Sequence, residues 1–295
     1  MIGAGIFVPA ARAEIDVAAP PTAVWRRLLT RPSARAGLTI IALLTAVAVV
    51  GPWLLPDPNL PDYTGQLAAP SPAHWLGTDQ AGRDLLARSV AGTGASLGAA
   101  LLVMALAAAI GLIVGTLAGV LGGFVDTVAV RCTDVLLGLP SLVLTLAVVA
   151  ILGPGFANLV LAMSLTSWAP LARLARSVAR GSAVRPDVVA ARMAGIGRLR
   201  VACTHVLPAA GVQVLVAATI GLGEAVLALG GLSFLGLGAQ PPTAEWGSML
   251  ADGRETFAYA PWQLIGPCAG IVLAVAAASL IGDALRDVLD PERRS

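Results

Sequence analysis

The chain has 295 residues, 57% of them hydrophobic and only 12% charged, against roughly 25% charged in a soluble globular domain. That balance excludes an ordinary soluble domain and points to a membrane protein. A net charge of +2 is too small to argue for nucleic acid as a partner. Cys132, Cys203 and Cys268 lie too far apart in sequence for a CxxC metal site or a disulfide framework.

A helix needs about 20 apolar residues to cross the bilayer core, so stretches between charges locate the spans. The first stretch, between Arg35 and Asp57, predicts a span over 36–55. No small-residue cleavage site follows it, so it is expected to be a retained anchor after a cytoplasmic segment 1–35. An external segment, 56–95, follows. In it Asp79 is expected to cap a short interfacial helix carrying the acid-before-base pairs Asp79–Arg83 and Asp84–Arg88, with Leu85, Leu86 and Val90 facing lipid or protein. His74 and Trp75 suit a water interface.

The core, 96–291, is expected to hold five further helices. The second span is predicted over 96–121. The long stretch from Asp134 to Arg173 is divided at Gly153-Pro154-Gly155, a turn signal, into spans 135–152 and 156–173. Arg131 and Asp134 are expected to tie the inner loop to a neighbouring helix. Spans 211–235 and 262–281 complete six, and 292–295 is a tail. All 19 basic residues are arginine. With the N-terminus inside, only Arg83, Arg88 and Arg254 fall outside. The positive-inside rule therefore puts both termini in the cytoplasm.

Between the fourth and fifth spans lies a long inner loop, 177–210. Pro186 suits the first turn of a helix and Asp187 its positive end, so a helix is predicted from there through Gly195. Ala190, Ala191, Ala194 and Gly195 leave its surface nearly bare, open to close approach by another protein, with Arg192 and Arg198 supplying charge to a rim. A second piece repeats Ile196, Leu199, Cys203 and Val206 at helical spacing, and Pro208 is expected to stop it. The same features suit an ordinary inside loop held by arginine.

Glu224 lies thirteen residues into its span from Gly211. An ionisable residue at that depth implies a translocation path or a bond to a neighbouring helix. Gly230, Gly231, Gly236 and Gly238 surround Ser233 and Phe234 and suggest close packing or a bend near a gate. Trp246 and Trp262 are expected to anchor the outer interface.

Ala190-Ala191, Gly195 and Leu207-Pro208 together resemble the EAA loop of binding-protein-dependent ABC importer permeases. Four further stretches are similar to the second permease subunit of dipeptide, oligopeptide and nickel importers: "HWLGTDQAGRDLLARSVAGTGASL", "LAGVLGGFVDTVAVRCTDVLLGLP", "LSFLGLGAQPPTAEWGSML" and "IGDALRDVLDP". Val189 and Leu229 stand where that family usually has Glu. The resemblance implies an all-α, six-span polytopic protein with the type I importer permease fold. It implies pairing with a homologous permease, two cytoplasmic ATPase subunits and an external solute-binding protein, with di- or oligopeptides as the first solute class and nickel or another small solute as the alternative. It also assigns the ATPase-coupling role to Asp187, Ala190, Ala191, Arg192, Gly195, Leu207 and Pro208, and suggests Glu224, Ser233 and Phe234 for the path or gate.

A chain without lysine has no GxxxxGK[ST] phosphate loop, so no cofactor is expected here and ATP belongs to the partners. Neither catalytic residues nor a metal site are expected, because His74 and His205 fall on opposite sides of the membrane, outside its core. A secondary transporter would need several intramembrane polar groups, and Glu224 stands alone.

Overall fold

In the computed structural model, residues 28–289 are described; they are helical with turns, and among them no strand forms beyond one Thr78–Asp84 bridge. The expected segment 1–27, with Arg12, Arg26 and Arg27, and the tail 292–295 with Arg293 and Arg294 lie outside the described residues.

Helix α1 (Pro32–Leu54) begins at Pro32, whose fixed φ suits a first turn. It lies along α10 (Ile265–Leu289) and α2 (Leu85–Leu121). Gly37 brings its backbone against Ile281 and Ala277. Helix α2 starts eleven residues earlier than the span placed at Ser96, because the external segment contributes no separate interfacial helix. Its N-cap is Asp84, which accepts from Ala87 N at 2.8 Å. Asp79, expected to cap a helix, instead closes the preceding turn by accepting from Ala81 N and Arg83 N. Gly82, at φ +74°, lies so near Asp62 that a Cβ would sit 1.7 Å from its carbonyl oxygen.

The expected span 135–152 is broken. Helix α3 (Gly123–Leu137) and helix α4 (Ser141–Leu152) meet at 93° across Gly138-Leu139-Pro140. Proline blocks the helix by its missing N–H and disfavours the helical conformation at Leu139 before it. The Gly153-Pro154-Gly155 turn then leads into α5 (Phe156–Ser182), and Gly155 N donates to Leu237 O at 3.1 Å, fixing the turn to the far end of another helix. By length and apolarity four helical segments can cross a membrane: Pro32–Leu54, Leu85–Leu121, Arg198–Phe234 and Pro261–Val288. The bent pair raises the number to five at most. The six-span expectation exceeds this because α5, 27 residues long, mixes Asn158, Ser164, Thr166 and Pro170 into its apolar face.

The core is formed by α2, α5 and α8 (Leu207–Phe234) around Ala100, Val103, Ala107, Leu159, Ala162, Val214 and Leu229. On α2, Gly111, Gly115 and Gly119 recur every four residues, which puts them on one face. That face meets α5 backbone to backbone: a Cβ at Gly115 would lie 2.2 Å from Ala172 O and 2.7 Å from Ala175 Cβ, and one at Gly119 would lie 2.5 Å from Ala179 Cβ. Small residues are how membrane helices gain such contact when lipid is as apolar as the side chains. Leu229 is fully buried in this core.

Candidate functional site

The inner loop begins with α6 (Pro186–Met193). Asp187 sits in its first turn and pairs with Arg185, Nη2 to Oδ2 2.9 Å. Desolvation, the largest single influence, raises its pKa, but the hydrogen bonds and charge of Arg185 together with the backbone N–H groups of Val188 and Asp187 hold the carboxyl below its ordinary range. The helix ends two residues before its predicted limit. Ile196 N bonds Ala191 O and Gly195 N bonds Arg192 O, at 3.1 and 3.0 Å, the paired bonds of a left-handed C-terminal cap. Gly195 holds φ +82° there. Nothing in the chain lies within 4 Å of a Cβ built on it, so its demand within the chain is conformational.

The two alanines part company. Ala191 turns inward with Val188, Val201 and Ile196 in a small separate core; Ala190 faces out. The loop also exposes the apolar side chains of Val184 (81% exposed), Met193 (85%) and Leu199 (60%), together with Arg192, Arg198 and Arg200. The face is apolar with a basic rim, so "nearly bare" describes only part of it. Val189, where the resembled family has Glu, is also exposed.

Pro208 does not stop the second piece. Helix α7 (Arg198–Val201) passes through a π-helical turn, Ala202–Val206, into α8, and Arg198–Phe234 forms one helical run of 37 residues. The wider turn relieves the clash of a proline ring with the preceding turn. Leu207 is half-buried and Pro208 exposed. Glu224 lies on an exposed face of α8 that also carries Gln213, Ile220, Leu227 and Gly231, residues that recur at helical spacing.

At the outer end, Ser233 is 1% exposed and its Oγ has no partner, while Phe234 carries the Arg254 guanidinium 5.3 Å from its ring centre. The structure therefore brings Ser233 and Phe234 together. It keeps Glu224 about nine residues down the helix from Ser233, roughly 14 Å at 1.5 Å per residue.

Several expectations for the outer segment are corrected. Arg83 pairs with Asp79 at 2.7 Å, but Arg88 turns to the same Asp79, Nε to Oδ2 3.4 Å, and Asp84 is taken by His74 Nδ1 at 2.8 Å. Arg88 is 2% exposed and also donates to the carbonyls of Pro58 and Pro242. Of the two surroundings expected for Leu85 and Val90, lipid or protein, the structure gives protein, both being buried, whereas Trp75 is exposed. Trp246 is no interfacial anchor. It is 1% exposed, wedged against Gly92 and Gly270, with Nε1 donating to Ser89 O at 3.2 Å. Trp262 is half-buried against Leu76 and Leu85 and its Nε1 has no partner.

The group that seats Trp246 is Glu245, which the sequence reading passed over. Fully buried, it accepts from Ser96 Oγ (2.9 Å), Gly247 N (2.9 Å) and Ser248 N (3.0 Å), capping α9 (Trp246–Glu255). Its signal was a Glu just before a Trp-Gly-Ser helix start. On the inner side Asp134 reaches Arg173 of α5 at 2.7 Å, as expected of a tie between helices, but without Arg131. A second tie, Asp126 to Arg176, went unread.

A many-helix chain with several apolar spans, a buried glycine seam and a basic, partly exposed helical loop between two of them suits a component of a membrane transporter. Residues 111–295 match the binding-protein-dependent transport system inner membrane component family, and residues 22–70 match the N-terminal TM domain of oligopeptide transport permease C. The chain belongs to the first of these, the inner-membrane permeases of ABC importers. It is 41% identical to the nickel transport system permease protein NikC of Escherichia coli K12, over 90% of this chain and 96% of that one. It is 37% identical to the di/tripeptide transport system permease protein DppC of Pseudomonas aeruginosa, over 97% of each. It is 38% identical to the glutathione transport system permease protein GsiD of Pectobacterium atrosepticum, over 95% and 94%. The family is a membrane component of the importer and is not itself catalytic.

Proposed function

We propose that this permease forms, with a homologous permease, the pathway for ATP-driven uptake of di- or oligopeptides. Both termini are cytoplasmic, two ATPase subunits bind and hydrolyse ATP on that side, and a solute-binding protein delivers from outside. The segment from Asp187 to Gly197 docks on an ATPase, with Leu207 and Pro208 leading its movement into α8; Glu224 and Ser233–Phe234 line the path or its outer gate.

The observation that carries this reading is the two-sided build of α6. One face is clamped into a private core by Val188 and Ala191, while Val189, Ala190, Arg192 and Met193 of the same helix are exposed, as is Leu199 of α7. A short helix that exposes apolar surface of this kind within a basic rim matches the anatomy of a docking patch. Peptides are the first reading because one of the three relatives above is named for di- and tripeptides and another for glutathione, itself built of three linked residues; the nickel relative makes the metal ion the second reading.

Two experiments test it. Gly195→Trp should leave the protein inserted and abolish uptake; normal uptake removes the coupling assignment. Purifying the complex with its binding protein and identifying the retained solute by mass spectrometry should return a short peptide, and nickel in its place decides for the second reading.

A further inference from the structure

Of the 15 residues of α3 only Thr133 is buried. Beneath the helix a cavity of about 330 Å³ remains between α2, α3 and α5, lined by Val114, Ala118, Val130, Thr133 and Ala172 among others. Packed interfaces leave few voids larger than a water molecule, so apolar packing alone does not seat this helix. Two carboxylates do. Asp126 accepts from Arg176 Nη2 at 2.7 Å and lies 3.6 Å from Arg180 Nη1, and Asp134 accepts from Arg173 Nη2 at 2.7 Å.

The arginines outnumber the acids. Arg173, Arg176 and Arg180 recur at i, i+3 and i+7 on one face of α5, a ladder of three rungs for two carboxylates. Asp126 already stands between the second and third rungs, and the charge of Asp134 reaches the second, Arg176. The remaining charge of α3, Arg131, is exposed and pairs with no carboxylate among the described residues. Both ends of α3 are jointed. Gly122 and Gly123 stand at φ +65° and +54° with nothing within 4 Å of a built Cβ, and the 93° break at Gly138-Leu139-Pro140 separates the other end from α4. Helix α4 itself is pinned to α5: Thr145 Oγ1 and Thr166 Oγ1 lie 3.0 Å apart, and Asn158 Nδ2 donates to Leu152 O and Gly153 O.

We propose that α3 has two registers on α5. In the one observed, Asp126 holds Arg176 and Asp134 holds Arg173. In the other, α3 has moved one rung toward the inner end, with Asp126 on Arg180 and Asp134 on Arg176. At 1.5 Å per residue that step is about 5 Å. Neither carboxylate loses a partner, because one arginine is spare in each register. The void beneath α3 gives it room, and the joints at its two ends absorb the change in backbone direction. Helix α5 leads through residues 183–185 into α6, which places the step to follow movement of that helix. Its use in transport rests on the coupling role proposed above; the two registers do not.

The test uses the full-length chain, purified with its partner subunits into lipid nanodiscs, with Cys132, Cys203 and Cys268 replaced by serine. Spin labels are attached through Val128→Cys on α3 and Leu161→Cys on α5, both exposed positions. Double electron–electron resonance is expected to show two label separations about 5 Å apart, the longer belonging to the second register, and a non-hydrolysable ATP analogue should change their ratio. Arg180→Gln removes a seat used fully only in the second register and should lower the longer population about two- to fivefold, the scale of one exposed ion pair. Arg173→Gln removes a seat used only in the first and should raise it by a like factor. Arg131→Gln should leave the ratio unchanged. A merely structural tie would loosen α3 the same way in both variants, so shifts of the same sign overturn the proposal, as does a single separation in every variant with and without the analogue. Two separations that answer to the arginines but not to the nucleotide keep the registers and remove only their link to α6.

Discussion

The seam between α2 and α5 makes a quantitative demand on Gly115. Alanine there adds one methyl group whose carbon falls 2.2 Å from Ala172 O and 2.7 Å from Ala175 Cβ, where ordinary contact begins at 3.4 Å. The nearest obstacle is backbone, so no rotamer change relieves it and the helices must part by about an ångström. Overpacking of this kind costs about 1–3 kcal/mol, and the parting also loosens Gly111 and Gly119, which share the seam. Gly98 lies on the same helix with nothing within 4 Å of its virtual Cβ, so Gly98→Ala is the matched control. In detergent-solubilised protein followed by thermal unfolding, Gly115→Ala should lower the midpoint by several degrees, on the order of 5 °C. Gly98→Ala should leave it unchanged or slightly raised, since alanine favours helix by about 1 kcal/mol. Equal midpoints for Gly115→Ala and wild type would refute the backbone-contact reasoning.

Three further predictions use the same measurements. Glu245→Gln keeps the shape but replaces an acceptor oxygen by a donor, facing Ser96 Oγ, Gly247 N or Ser248 N; stability should fall by about 1–3 kcal/mol, and an unchanged midpoint would mean the carboxylate does not hold α9. At Gly195, φ +82° suits asparagine better than a β-branched residue, so Gly195→Asn should retain uptake while Gly195→Val reduces it; equal uptake would remove the conformational argument. Asp252 has a raised pKa in the folded chain, so its protonated form is the one folding favours. Its stabilising contribution is full below the ordinary carboxylate range and is lost as pH rises through the folded value. Stability should therefore decline over that window from about pH 4 upward, and Asp252→Asn should flatten the decline; an identical pH profile in the variant would show that the carboxyl is not desolvated.

How much of this was legible depended on what each signal measures. Gaps between charges report contact with lipid, and they located α1, the ends of α8 and the start of α10 to within a few residues, while α10 runs eight residues past its expected end because Asp283, Arg286 and Asp287 continue the helix. The start of α2 escaped because Arg88, which reads as the edge of a span, is buried with partners from Pro58, Asp79 and Pro242, residues far apart in sequence. Gly138-Leu139-Pro140 did announce the 93° break, but a ruler made of charges is blind to a bend among apolar residues. Trp246 was misplaced because tryptophan is common both at interfaces and in cores. What decides is Gly92 and Gly270 on two other helices, a coincidence only the fold creates. In the inner loop the proline start and glycine end of α6 were readable locally. The inward turn of Ala191 was not, since it depends on Val201 folding back. Leu229, where the resembled family has Glu, is explained by position: it is fully buried among apolar neighbours, where an unpaired carboxylate would be costly.

The uninterrupted run from Arg198 to Phe234 has a mechanical corollary. At 1.5 Å per residue its 37 residues make a strut about 55 Å long, reaching from the basic inner patch to the buried Ser233. No loop interrupts it, and its one irregular joint is the π-turn at Ala202–Val206, close to the Arg198 end. A rotation applied near Arg198 would be carried to Phe234 by the backbone hydrogen bonds of one helix, with no relay of side chains needed between the two ends.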